Sequence, residues 1–479
     1  MAATLRALAS LISASADTID ARCAAAGTSF PDLEGAPGAS AVSSEAVYDD
    51  PAISRSADII IAAAGQLIAA VRRPQDSLFN LAYSVIIPAA LRTANLACVP
   101  EIIREEAPVQ CHVDVLAKKN NTDPLKLGKL TLYALLIAAG VLRLLVTHHV
   151  FREVEPNVFA NNRISCVLDS GKDVSILKDS PLEKYVEAEG YCAIVDAMAD
   201  EIGKALLHFP QTLIDPSRPG SDIHEMDTAF NRAFNFDRQI FDWYGLPENS
   251  FYLARVTEVL NDTRRLSPPG AIARAYPWGD VPEGATVVDV GGGLGLLAMD
   301  VMREYPKLNM IIQDRPGMLE EAKKYWHRQM PDTPVTFQAH DFFEPQPANK
   351  PVVYILSLIL HDWSDEWSAK ILRHMRNGAL AETRIIIVEH VLQHACRTDN
   401  AADITPGANE DVFPEPLLPN GGLARANPYL LDVQMMGAMN GQEKTLEHMK
   451  RVLHMGGWKI EHISRVPNAF RPYIIAAPL

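Results

Sequence analysis

Val287-Val-Asp-Val-Gly-Gly-Gly-Leu-Gly295 is a β-branched run that breaks into a glycine-rich turn. Valines at this density suit a strand covered on both faces. The glycines let the backbone take positive φ and come close to a ligand. The helix predicted over 294–304 would aim its free N–H groups at that ligand. The spacing is not G-x-G-x-x-G, because position 296, counted from Gly291 and Gly293, is Leu. Asp289 stands just before the glycines, where a carboxylate would meet a bound amino group.

Outward from this turn, apolar runs alternate with helical periodicity. Strand candidates are 286–290, 308–313, 335–339, 351–357 and 384–390, with helices over 294–304, 317–329 and 365–378 between them. This alternation predicts an α/β fold: a mostly parallel, Rossmann-like sheet with helices on both faces. A helix from Tyr429, another over Leu446–His454, and strands near 459–463 and 472–476 would close the domain. Residues 394–428, rich in Asn, Pro, Gly and Asp, read as a long surface loop.

Ligands in open α/β sheets bind beyond the carboxyl ends of the strands, so the residues there carry the functional argument. Asp314 ends the second strand and can accept from both hydroxyls of a ribose; it is also readable as a helix N-cap. Asp341-Phe342 follows the third strand, where an acid can accept from an exocyclic amine and a ring can cover an adenine; an ordinary loop acid is the alternative. These carboxylates suit adenosine and none suits a pyrophosphate, which favours S-adenosylmethionine over a dinucleotide. Ser357-Leu-Ile-Leu-His361-Asp362-Trp363 ends the fourth strand and sets an imidazole one strand from the glycine turn. Glu389 ends the fifth strand and Glu443 precedes a late helix. Together they would hold His361 in one tautomer; a capping or solvated acid is the lesser alternative for each alone.

The rest of the chain is helical. Residues 1–22 read as a surface helix, 24–52 as a loop, and 53–104 as apolar helices that would pack on something large, such as a second subunit. Residues 110–165 follow a winged-helix pattern: a helix over 113–118, a cap at Thr122 or Asp123, a long apolar helix to Val146, and a hairpin around Pro156-Asn157. Residues 180–270 carry an aromatic cluster, Phe230, Phe234, Phe236, Phe241, Trp243 and Tyr244, which reads as core with a few rings facing a flat substrate. The chain of 479 residues has 44 basic and 59 acidic side chains, a net charge of −15. That balance argues against nucleic acid or anionic lipid as a partner. Six scattered cysteines with no CxxC pair predict no zinc site and fit a reducing, cytoplasmic setting. No signal peptide is read at the N-terminus, and the 130–146 apolar run falls short of the ~20 residues a bilayer span needs.

DVGGGLG, IIQDRP, HDFFEP, SLILHDWSDEW and NGQEKT, in this order, resemble the plant caffeate-type O-methyltransferases. They are closer still to the fungal O-methyltransferases of polyketide and alkaloid pathways. The resemblance is specific over 286–479, looser over 110–270 and weak before residue 100. It implies an N-terminal helical region (1–105), a winged-helix-like dimerisation domain (106–180), a helical substrate-lining region (181–275) and a catalytic domain (276–479) in a homodimer. It further implies that Asp289, Gly291 and Gly293 approach S-adenosylmethionine, that Asp314 holds its ribose, and that Asp341 and Phe342 flank its adenine. His361 would be the general base with Glu389 and Glu443 beside it, and Met435 and Met439 would touch a small hydrophobic substrate. The plant enzymes carry Lys where Ser357 stands, so the cofactor contact expected of Ser357 departs from their pattern. Methyl transfer from a sulfonium has a good leaving group and needs no metal. Some fungal proteins of this type use the bound sulfonium for dehydration or pericyclic steps instead, which is the alternative reaction; the retained His361-Asp362 pair argues against it.

Overall fold

The computed structural model describes residues 5–35, 45–106, 109–119, 131–186, 188, 191–215, 227–347, 350–397, 405–408 and 412–479. The expected cap at Thr122 or Asp123 lies outside them. In the first half, β1 (Cys111–His112), β2 (Arg152–Glu155) and β3 (Val158–Ala160) form a small antiparallel sheet in the order β1-β3-β2. The hairpin turns at Asn157 with φ +67°, a conformation Asn tolerates. Arg143, on the helix Thr131–Thr147, ties this wing down through Glu153 at 2.9 Å and Asn157 at 2.8 Å.

The second half is built on β4 (Thr286–Val290), β5 (Asn309–Asp314), β6 (Thr336–Ala339), β7 (Val353–Ser357) and β8 (Arg384–Val388). The two-residue strands β9 (Val391–Leu392) and β10 (Lys444–Thr445) follow, then β11 (Trp458–Ser464) and β12 (Tyr473–Pro478). The main sheet runs β11-β12-β8-β7-β4-β5-β6, with β4 to β8 parallel and β12 antiparallel to both neighbours. Alternate residues of each strand enter opposite cores. Val353 and Ile355 join Trp278, Met299 and Trp326 on one face; Tyr354 and Leu356 join Ile371, Met449 and Trp458 on the other. This explains the unbroken apolar runs, since each fully buried aliphatic side chain contributes roughly 1.5–3 kcal/mol. The strand order reverses between β4 and β7, so the crevice of the fold opens where those two strands end.

Two segments differ from their sequence reading. Residues 24–52 are not loop throughout: Ala46–Asp49 is a 3₁₀ turn, and Asp50 caps the helix Pro51–Val71 by accepting from the Ala52 N–H at 2.8 Å. That helix is long and apolar enough to cross a membrane by composition, yet it packs along Leu5–Ala26 and buries Ile53, Ala62 and Ala63. The described part of 394–428 is not a free surface loop either. Phe413 is wholly buried with Leu417 against Leu8 and Ala63, and the Arg55 guanidinium lies 4.2 Å above the Phe413 ring. The segment joins the N-terminal helix pair to the main sheet. Isolated apolar residues in a polar stretch carry no periodicity, so their burial was invisible in the pattern.

Candidate active site

The turn after β7 is pinned from every side. Leu358 takes φ +55°, which costs a residue with a Cβ about 1–2 kcal/mol. Glu389 Oε1 accepts from the N–H groups of Ile359 at 3.1 Å and Leu360 at 2.6 Å. The Leu360 carbonyl accepts from Lys444 Nζ at 2.7 Å and Ser368 Oγ at 3.1 Å. The His361 carbonyl accepts from the Gln442 N–H at 2.8 Å. Two short parallel strands bring these partners in: Lys444 pairs with Val391 and Thr445 with Leu392, which sets Glu389 and Glu443 on neighbouring backbones.

The imidazole of His361 is buried within this frame. Its Nδ1 lies 2.7 Å from Glu443 Oε1, and its Nε2 lies 3.2 Å from Asp362 Oδ1. An ionised carboxylate only accepts, so Nδ1 carries a hydrogen, and Nε2, which faces Asp362, is the nitrogen not held by Glu443. Burial pulls the ring's pKa down, but the Asp362, Glu443 and Glu389 carboxylates outweigh it and push it up to about 9. Burial raises the Asp362 carboxyl, against the opposing pull of the imidazole. For Glu443, burial is outweighed by the hydrogen bond and charge of His361, and its carboxyl sits below the usual range. Glu389 therefore holds the backbone of the turn, whereas Glu443 holds the ring.

Beyond β4, Gly291, Gly293 and Gly295 have φ of +65°, +57° and +80°. A Cβ on Gly291 would lie 2.5 Å from Ile359 Cδ1 and 3.7 Å from Phe342, so only glycine leaves this cradle open. Asp314 Oδ2 accepts from the Gly293 N–H at 2.9 Å, at the end of the adjacent strand. Asp289 is buried beneath Gly292. Asp341 stands beyond β6, accepting from the Phe343 N–H at 2.9 Å, and Phe342 lies 6.0 Å from Trp363. An open glycine turn followed by carboxylates on successive strand ends fits a cationic nucleoside with a free diol. Ser357 ends β7 beside Val388 and half-buried, with no side-chain partner among the described residues.

A narrow cleft, with a cavity volume of about 10 Å³, lies beside Asp362 and Trp363. Its other walls are Asn231, Gln239, Ile240, Phe241, Ala438 and Met439. The structure thus brings Met439 to the cleft; Met435 lies one turn back, buried and outside its lining. Most of the aromatic cluster is core, with Phe230 stacked on Phe234 at 4.5 Å and edge-on to Trp243 at 5.3 Å; of the six rings, Phe241 reaches the cleft.

Residues 224–459 match the model of the O-methyltransferase domain. An O-methyltransferase of Armillaria gallica is 38% identical, with both chains covered in full. The chain belongs to the S-adenosylmethionine-dependent O-methyltransferase family. The 4-O-methyltransferase 1 of Phanerochaete chrysosporium is 37% identical over 97% of this O-methyltransferase and 96% of its own length. A solved structure described as a pericyclic reaction enzyme shares the fold, with a TM-score of 0.66 and 19% identity over 92% of this chain and all of its own. At that identity the likeness concerns the fold alone.

Lys444, Gly441 and Gln239 belong to this site without a signal in the sequence, whereas Asp362 is read there only as the retained neighbour of His361. Lys444 and Gly441 sit beside Glu443 in Asn440-Gly-Gln-Glu-Lys, but a buried lysine bonding a backbone carbonyl has no sequence signal. Gln239 was hidden between aromatic residues.

Proposed function

We propose that this O-methyltransferase methylates a phenolic or enolic hydroxyl of a flat, apolar secondary metabolite, with His361 Nε2 receiving the hydroxyl proton. The observation that carries the reading is the buried imidazole locked by Glu443 and facing Asp362, whose side chain forms part of the cleft wall. S-adenosylmethionine, when bound, supplies an electrophilic methyl on a cationic sulfur. Gly291 and Gly293 would admit it, Asp289 would face its amino group, Asp314 its ribose, and Asp341 and Phe342 its adenine, with Ser357 at the edge. Phe241, Trp363 and Met439 would hold the acceptor flat and exclude water.

The proton arithmetic favours this base. A phenol has a pKa of ~10 and a free imidazole ~6.5, so transfer to an ordinary histidine costs roughly 5 kcal/mol. With the ring pushed up to about 9, the mismatch falls to about one unit, or ~1.4 kcal/mol. The consequence is a ring that is mostly protonated at neutral pH. kcat/KM is therefore expected to rise with pH as the free enzyme's ring loses its Nε2 proton. Glu443→Gln removes one of the raising carboxylates, so its profile should shift to lower pH and its maximum should fall. A profile that keeps its midpoint in Glu443→Gln would contradict the assignment.

The names of the relatives support methyl transfer over a pericyclic or dehydration step. Leu78, Phe79, Leu81, Tyr83 and Val85 are exposed along and just after the helix Pro74–Tyr83, and an apolar surface of this kind calls for cover. We place a second copy of the chain there, as a homodimer; a monomeric mass in sedimentation equilibrium would exclude it. No disulfide joins any of the six cysteines, which fits a reducing, cytoplasmic location that cell fractionation would check.

A further inference from the structure

The cleft beside Asp362 and Trp363 is mostly apolar, and its few polar side chains can be sorted by what they already bind. Asn231 is spent within its own loop. Its Oδ1 accepts from the N–H and Oγ of Thr228 at 3.0 and 2.7 Å, and its Nδ2 donates to the carbonyls of Phe236 and Arg238 at 2.8 and 2.7 Å. Asp362 is engaged with the imidazole. Gln239 is different. It stands at the N-terminal cap position of the helix Ile240–Tyr244, yet its side chain makes no capping bond. Among the described residues its amide has no hydrogen-bond partner. It is half-buried in the cleft wall beside Ile240 and Phe241, in the same lining as Asp362 and Met439.

We propose that Gln239 is a specificity-determining residue that hydrogen-bonds a second oxygen on the acceptor, so that the preferred substrate is a dioxygenated ring rather than a simple phenol. The proposal rests on the methylation of a phenolic hydroxyl argued above. Few polar groups in an apolar cleft fix orientation. An amide both donates and accepts, so it serves a second hydroxyl or a methoxyl oxygen on the ring. A site built around such a bond discriminates against the analogue lacking the oxygen, because the amide is then left unpaired.

The test uses the full-length enzyme with S-adenosylmethionine and two matched acceptors, 3,4-dihydroxybenzaldehyde and 4-hydroxybenzaldehyde. The wild type should favour the first by about tenfold in kcat/KM, the scale of one hydrogen bond in a partly dry site. Gln239→Leu should bring the ratio to within about twofold, chiefly through KM for the dihydroxy compound, and Gln239→Asn should restore part of the preference. An unchanged ratio in Gln239→Leu, or an equal fall for both acceptors, overturns the proposal. A wild type that methylates both equally overturns the role of Gln239 and leaves the phenol reading standing. A wild type that methylates neither contradicts the phenol reading, and the role of Gln239 falls with it.

Discussion

His361→Ala is expected to lower kcat/KM by roughly 10²–10⁴, the usual range for a positioned general base, while the Kd for S-adenosylmethionine stays within about twofold. The loss follows from geometry. Nε2 is the one ring nitrogen not held by Glu443, and the side chains of the cleft offer no second imidazole. Asp362 is the nearest alternative acceptor of a proton. Burial raises its carboxyl only to about 7, below the ring's value of about 9, so it is the weaker base of the pair, and residual activity should be low. Cofactor affinity should survive because the glycine cradle and Asp314 belong to β4 and β5. Kinetics and calorimetry on the same preparation separate the two effects. Turnover surviving in His361→Ala would refute the base; loss of cofactor binding would recast His361 as a structural residue.

Gly441→Ala should be nearly as damaging, although the substitution adds one methyl and touches no ligand. A Cβ there would fall well inside contact distance of the His361 carbonyl oxygen and 2.9 Å from the backbone of Asp362. Neither neighbour is a flexible side-chain end. The Gln442 N–H that binds the His361 carbonyl is on the adjacent residue, so relieving the clash must move that bond or the turn itself. Overpacking of this kind costs about 1–3 kcal/mol of stability. A displacement of about 1 Å at the imidazole can cost 10² in rate. The expected result is a folded protein with a lower Tm and kcat down by about 100-fold. Gly317→Ala is the control: a Cβ there meets nothing within 4 Å, so both quantities should stay near wild type. Equal behaviour of the two variants would show that the turn tolerates the shift.

The sheet was legible because its strands are covered on both faces and so read as unbroken apolar runs between helical stretches, as in Val353–Ser357. The turn residues His361, Asp314 and Asp341 were legible because chain order alone puts them at strand ends. The division of labour between Glu389 and Glu443 was not. Both are acids near strand or helix ends, and only the pairing of β9 with β10 shows that one binds backbone and the other the ring. The seating of Phe413 against the N-terminal helices was hidden for a related reason. A contact between Arg55 and Phe413 spans hundreds of residues, and no local periodicity reports it. Gln239 could be found only by counting hydrogen bonds within the cleft, since a glutamine among aromatic residues is unremarkable by composition.

The most direct test of the account is to incubate the full-length protein with S-adenosylmethionine labelled at its methyl carbon, with 3,4-dihydroxybenzaldehyde as acceptor, and to locate the label by mass spectrometry and NMR. The account predicts label in an aryl methyl ether, formed in step with S-adenosylhomocysteine and with a rate that climbs from neutral pH towards pH 9. Cofactor that binds yet stays fully methylated, with no label in any aryl methyl ether of the acceptor, would contradict it.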